Sequence, residues 1–140
     1  MNYLLDTNVI CEPTRQKPDP RVLAWLDATD EDRLHLSVVT LAEVQRGVSR
    51  LPSGSRRDRI QRWLNNDVVE RFGDRILPVD HVIAAKWGET MADAESTGRT
   101  MSTLDGFIAA TAIVGDFALV TRNVADFGDS VREIINPWKT

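Results

Sequence analysis

The order of apolar segments predicts an α/β fold: a three-layer α/β/α sandwich with a central parallel sheet. Short apolar or β-forming runs stand at residues 3–5, 34–39, 76–79 and 117–120. Between them lie longer stretches whose apolar residues recur at intervals of three and four, the helical period. Strands separated by helices pair in parallel and are covered on both faces. The pattern leaves the strand order open.

The first run, Tyr3-Leu4-Leu5, is too short for a helix and is closed by Asp6, so it reads as a buried strand. Asp19-Pro20 opens a helix, with proline suited to the first turn. Val22, Leu23, Trp25 and Leu26 form its apolar face, and Thr29-Asp30-Glu31-Asp32 ends it. Leu34 to Val39 reads as the second strand. Thr40 then stands at an N-cap position with Glu43 three residues later, the pattern of a capping box. In the helix that follows, Leu41, Val44, Val48 and Leu51 make the buried stripe. At about 100° per residue, Glu43, Arg46, Gly47 and Arg50 share the far side.

Pro52-Ser53-Gly54-Ser55 breaks the chain. The next helix carries Ile60, Trp63, Leu64, Val68 and Phe72 on one stripe and ends near Gly73. Ile76-Leu77-Pro78-Val79 reads as a short strand near an edge or finishing at its proline. His81 to Thr97 is helical, with Gly98 as its C-cap. Thr103 to Val114 is helical again, with Leu104, Phe107, Ile108 and Ala112 inward. Phe117-Ala118-Leu119-Val120 is an apolar strand running into Thr121-Arg122-Asn123 and Asp126-Phe127.

A length of 140 residues suits a single domain with a real core. The hydrophobic share of 42% and charged share of 27% belong to an ordinary globular protein. No apolar run is long enough to span a bilayer. The start, Met1 to Asp6, has no basic leader, and the one cysteine, Cys11, has no internal partner, so the chain reads as cytoplasmic. A net charge of −4 counts, as a whole-chain figure, against nucleic-acid binding, because contact with phosphates wants a positive surface. The distribution is uneven, however. Arg46, Arg50, Arg56, Arg57, Arg59 and Arg62 fall close together with Asp58 as the only acid among them. Either this is a solvated helix face or a track for phosphate, which the planar guanidinium suits.

Ligands of open α/β sheets sit beyond the carboxyl ends of the strands. Asp6 occupies such an end, and Thr121 to Asp126 follows another. Glu43 and Asp105 are expected in the first turns of their helices. Each acid also has a plain reading. Glu43 fits a capping box or a pairing with Arg46, Asp105 complements a helix dipole, and Asp126 caps a turn. Asp6 is the hardest to explain that way, because a carboxylate ending a buried strand is desolvated unless paired or bound. Four carboxylates in one crevice repel and favour a hard cation, which prefers oxygen and takes one or two carboxylates plus waters. That chemistry suits hydrolysis of a phosphodiester, with one ion or two. His35, His81 and Cys11 are isolated and make no soft-metal site.

Leu4-Leu5-Asp6-Thr7-Asn8-Val9-Ile10, Thr40-Leu41-Ala42-Glu43-Val44, Asp105-Gly106-Phe107-Ile108-Ala109-Ala110-Thr111-Ala112 and Thr121-Arg122-Asn123-Val124-Ala125-Asp126-Phe127 occur in this order. Together they resemble the successive motifs of PIN domains, most closely the VapC-type and FitB-like toxins of bacterial toxin–antitoxin pairs. The likeness runs from Asn2 to about Phe127.

The resemblance implies a PIN-type sheet, an endoribonuclease activity dependent on Mg²⁺ or Mn²⁺, an RNA substrate, inhibition by a cognate antitoxin, and a homodimer. Asp6, Glu43 and Asp105 match the core acidic triad and Asp126 the fourth acid. Asn8, Thr121 and Asn123 match polar positions near the metal or its waters. On this footing Asp6 and Asp105 hold the metal most directly, with Glu43 and Asp126 acting on it or through its waters. Arg46 and Arg50, on the side of Glu43, are candidates for neutralising RNA phosphate. Asp105-Gly106 departs from the usual pattern, and Gly106, a poor helix former, is expected to loosen that first turn.

Two other readings fit parts of the pattern. A haloacid-dehalogenase-like phosphohydrolase also begins with a strand ending in aspartate, but needs a second aspartate where this chain has Asn8. A non-catalytic binding module would keep the carboxylates for the fold alone and gain no stability from divalent ions. Trp25, Trp63 and Trp87 sit at helical spacings and read as core or dimer contacts rather than base platforms. Trp138, in the tail Asn136-Pro137-Trp138-Lys139-Thr140, is a packed anchor or an interface residue.

Overall fold

The structure, a computed structural model, describes residues 1–139; Thr140 lies outside the described residues. Five strands form a parallel sheet: β1 (Tyr3–Leu5), β2 (Leu34–Ser37), β3 (Ile76–Leu77), β4 (Ala118–Val120) and β5 (Ile134–Ile135). Their order is β3-β2-β1-β4-β5. The helices are α1 (Thr7–Cys11), α2 (Pro20–Ala28), α3 (Val38–Arg50), α4 (Ser55–Trp63), α5 (His81–Ser96), α6 (Thr103–Gly115) and α7 (Val124–Phe127).

Side-chain alternation along the central strands builds the three expected layers. Leu5, Leu36 and Val120 point to one face and pack with Val9, Val22, Val44, Val48, Leu64 and Val68 from α1 to α4 and the turns that follow. Leu4 and Leu119 point the other way, to Ile108, Ala109, Ala112 and Phe127 of α6 and α7. Helix α5 packs over α6. Because α6 is covered by the sheet on one side and α5 on the other, its inward face is wider than predicted. Gly106, Ala109, Ala110 and Thr111 are buried, whereas Leu104 and Phe107 are only half-buried.

The chain first builds outward from β1 through β2 to β3, then returns to add β4 and β5 on the opposite side. Strand order therefore reverses at β1, and a crevice opens beyond the ends of β1 and β4. In register, Leu5 pairs with Val120, so Asp6 and Thr121 leave the sheet side by side.

Several boundaries differ from expectation. Strand β2 ends at Ser37, whose hydroxyl accepts the Val39 N–H at 3.0 Å and caps α3. The predicted capping box of Thr40 and Glu43 does not form. Thr40 is buried inside the helix, and Glu43 lies in its second turn. Val38 and Val39 read as strand by propensity, but the strand's register and the cap at Ser37 override it. The helix begun by α4 continues through a π-helical segment, Leu64–Glu70, which keeps Leu64 and Val68 on the buried stripe. It ends as expected at Gly73, which has φ +50°. Strand β3 spans only two residues and lies at an edge, before Pro78.

Phe117 falls outside β4 and lies against His35, with ring centroids 4.9 Å apart. The short elements α1, α7 and β5 were not anticipated. Trp138 is buried against the α1–α4 core, making it a packed anchor, and the Arg122 guanidinium sits 5.4 Å from its ring. Among the described residues no helix is long and apolar enough to cross a membrane.

Candidate active site

Four elements deliver the four acids to the crevice. Asp6 follows β1 and acts as N-cap of α1, its Oδ1 accepting the Thr7 N–H at 2.8 Å. Its Oδ2 accepts the Thr121 hydroxyl at 2.7 Å. Both residues are buried, at 6% and 0% exposure, so each oxygen has its partner where water does not reach freely. Burial pushes the Asp6 carboxyl above its ordinary value and the charge of Asp126 adds to this, while the bonds from Thr121 and Thr7 oppose it.

Glu43 projects from the second turn of α3 and accepts the Thr7 hydroxyl at 3.0 Å. Burial raises its pKa and so do the charges of Asp6 and Asp105; Thr7 and then Arg46 counteract them. Asp105 lies in the first turn of α6, where its N–H donates to the Ser102 hydroxyl at 3.1 Å. It too is raised, first by burial, then by Asp6, with Asp126 contributing. Asp126 is exposed in the single turn of α7 and is felt at both aspartates. The four carboxylates distant in sequence thus share one electrostatic environment.

The polar positions divide by role. Thr121 is the hub: besides donating to Asp6, it accepts the Asn8 side-chain amide at 3.5 Å and the Asn123 backbone N–H at 3.0 Å. Asn8 also accepts the Arg122 backbone N–H at 3.3 Å, which stitches α1 to the loop after β4. Asn123 enters this network through its backbone. Arg46 is exposed beside Glu43, and Arg50 stands exposed one turn further along α3. The residue that sequence reasoning passed over is Thr7. Its place beside Asp6 was visible; its pairing with Glu43, 36 positions away, needed the fold.

The expected loosening at Gly106 does not occur. Its N–H donates to the Ser102 carbonyl at 2.9 Å, so the first turn of α6 is intact. A Cβ there would stand 2.6 Å from Met91 Sδ and 2.7 Å from Trp87 Nε1. Trp87 donates to the Thr103 carbonyl at 3.1 Å and stacks on Phe107, with centroids 5.1 Å apart. Glycine at this position lets α5 close onto the turn that carries Asp105.

The donors facing the crevice are carboxylate and hydroxyl oxygens, the set a hard divalent cation prefers. Among the described residues, no three His, Cys, Asp or Glu side chains converge tightly enough to enclose an ion by themselves. The arrangement instead fits an ion held by one or two carboxylates with water completing its shell. Among the described residues, neither His35 nor Cys11 is offered to an ion as a soft ligand. His35 faces the Arg33 carbonyl, and burial together with the Glu43 charge pushes the Cys11 thiol up to about 11.

Comparison with known proteins gives the family of this fold. The PIN domain family model matches residues 3–127. The chain is 39% identical to "VapC ribonuclease Y4jK" of Sinorhizobium fredii over 136 residues, covering 97% of each chain. It is 37% identical to "Toxin FitB" of Neisseria gonorrhoeae over 135 residues, covering 96% of this chain and 97% of the other. The crystal structure of FitAcB from Neisseria gonorrhoeae superposes with a TM-score of 0.93 at 36% identity, over 99% of both chains. With its motifs in order, its acids gathered at the strand ends and the family matched over most of its length, the chain belongs to the PIN domain family.

Proposed function

We propose that the whole chain is one ribonuclease domain, the toxin of a toxin–antitoxin pair, that hydrolyses phosphodiester bonds in RNA with a divalent ion. The observation that carries this reading is the gathering of Asp6, Glu43 and Asp105 at the reversal point of the sheet, where burial raises all three carboxyls and the charge of Asp6 adds to this at the other two. Carboxylates held together against their own repulsion are poised for a cation. The names of the ribonuclease and toxin relatives support it.

Asp6 and Asp105 would hold the ion, Mg²⁺ by preference and Mn²⁺ as a substitute. Thr121 and the Thr7 N–H fix both oxygens of Asp6, so its carboxylate is oriented before anything binds. Thr7 likewise aims Glu43. A bound divalent ion supplies Lewis-acid stabilisation of phosphoryl charge and acidifies coordinated water. Glu43, raised above an ordinary glutamate, is the group that accepts the proton of the attacking water, and Asp126 orients water from the exposed side. Arg46 and Arg50 neutralise the phosphate of the strand being cut. Asn8, at the place a haloacid-dehalogenase-type enzyme would use a second aspartate, is tied to Arg122 and Thr121 as a pin between loops.

The protein acts in the cytoplasm as a homodimer and is silenced by a cognate antitoxin. Purified protein should cut single-stranded RNA with Mg²⁺ or Mn²⁺ and not with chelator, and Asp6→Asn should remove that activity. Undiminished cleavage by Asp6→Asn sinks the assignment. A divalent-independent melting curve together with no cleavage would leave a non-catalytic module.

A further inference from the structure

Helix α1 begins at the acidic site, with Asp6 as its cap and Thr7 bonded to Glu43, and its other end leads into an open cleft of about 880 Å³. One wall is the segment after α1, contributing Thr14, Arg15 and Lys17; the other is α4, contributing Arg56, Arg59 and Trp63. The walls are fixed to the site from both sides. The Thr14 hydroxyl donates to the Cys11 carbonyl at 2.7 Å, closing the end of α1. Gln45 and Gln61 exchange side-chain amide bonds of 2.8 and 3.0 Å, holding α4 onto α3, the helix of Glu43. Five residues of α1 separate site from cleft, a rise of roughly 7.5 Å.

The charge in this cleft is one-sided. Among the described residues no acid lines it, although the chain has 21 acids against 17 bases. Arg15 is partnered by Glu12 at 3.1 Å. Lys17, Arg56 and Arg59 are exposed and, among the described residues, enter no ion pair. Elsewhere among the described residues some exposed arginines find acids, as Arg21 finds Asp19 and Arg71 finds Glu31, and others such as Arg33 do not; what sets the cleft apart is that its free cations line one concavity. Three unneutralised cations in a concavity focus positive potential and draw an anion.

We propose that this cleft is a second binding site for the RNA strand, holding backbone phosphates of nucleotides that flank the one being cut. The inference rests on the ribonuclease reading. Arginine forks match phosphate oxygens. Trp63 is half-buried against the core and also lines the cleft with these cations, the pairing of charge and aromatic surface that single strands use. An acidic peptide would also answer the charge, but would have no need of continuity with the carboxylates.

The test is binding, read with chelator present so that nothing is cut. Anisotropy of labelled single-stranded RNA of about twelve nucleotides and of about three nucleotides compares the parent with Lys17→Ser/Arg56→Ser/Arg59→Ser. All three positions are exposed, and none belongs to the acidic site. The triple variant should weaken the longer RNA tenfold or more, leave the shorter unchanged, and make log K against log salt shallower by about 2, at roughly 0.7 per phosphate contact. A control at three cations that do not line the cleft, Arg33→Ser/Lys86→Ser/Arg132→Ser, should keep both affinities. Equal binding of the longer RNA by parent and triple variant overturns the cleft and leaves the ribonuclease reading intact. So does a loss confined to a polyglutamate probe, which would make the cleft a peptide site. A parent that neither binds nor cuts RNA overturns both.

Discussion

The Thr121 hydroxyl donates to Asp6 Oδ2 at 2.7 Å, joining two buried residues 115 positions apart. Thr121→Val keeps the shape and removes the donor. An orphaned buried carboxylate oxygen costs about 1–3 kcal/mol or more when charged. The bond lowers the Asp6 pKa, so losing it raises that pKa further. The penalty therefore applies to the ionised form, and urea denaturation should find the variant more destabilised near pH 7 than near pH 5. An equal loss at both values would mean that Asp6 does not change its charge in the folded protein between them.

Asp6, Glu43 and Asp105 all have folded pKa values above their reference values of 3.8, 4.5 and 3.8. A raised carboxylate favours the folded state fully below its unfolded pKa, and that contribution is lost as pH rises through the folded value. The metal-free protein should accordingly melt higher at about pH 5 than at about pH 7, and Mg²⁺ should restore most at the higher pH. Asp105→Asn should raise the metal-free melting temperature at about pH 7, because neighbouring charges and burial outweigh the helix dipole at this position. The same variant should lose the gain from Mg²⁺. A variant that melts lower without metal would show Asp105 to be held by the dipole instead.

Thr7 links the helix of Asp6 to the helix of Glu43, and its hydroxyl lowers the Glu43 pKa. Thr7→Val should reduce kcat about tenfold or more, the scale of a lost hydrogen bond to a charged group, and shift the rising limb of the pH–rate profile upward. Thr7→Ser keeps the donor and should restore both. A valine variant with parental kcat and profile would leave Glu43 oriented by something else.

How far the sequence reveals this molecule depends on the range of the interactions. Strand β1 with Asp6, the α5 boundary at Gly98 and the apolar stripe of α3 follow from local period and caps, and the structure agrees with them. The start of α3 differs from the local pattern because Val38 and Val39 favour strands locally, while the cap at Ser37 depends on where β2 stops pairing. Strand β5 has two half-buried isoleucines and no period to detect; it exists because Leu119 and Val120 offer a free edge. At the site, the four acids were visible as motifs in order. The hub at Thr121 and the pairing of Thr7 with Glu43 span 113 to 115 and 36 positions respectively, so only the closed sheet brings them together.

Gly106 gives the last and most localised prediction. Glycine inside a helix ordinarily costs up to about 1 kcal/mol relative to alanine, so Gly106→Ala would stabilise a helix with open space around it. Here the added Cβ would meet Met91 Sδ at 2.6 Å and Trp87 Nε1 at 2.7 Å. Met91 is flexible and yields; Trp87 is held by its bond to the Thr103 carbonyl and by stacking on Phe107, so it yields only by losing one of them. Overpacking of about 1–3 kcal/mol then exceeds the gain in helix propensity, and Gly106→Ala should be less stable than the parent. Because the displaced indole braces the turn bearing Asp105, the affinity for Mg²⁺, read as its rise in melting temperature, should fall as well. Combining Gly106→Ala with Trp87→Leu should recover part of the stability relative to the sum of the two single changes, the signature of a direct clash. Additive losses, or an alanine variant more stable than the parent, would show that α5 moves aside and that the glycine is not required for the packing behind Asp105.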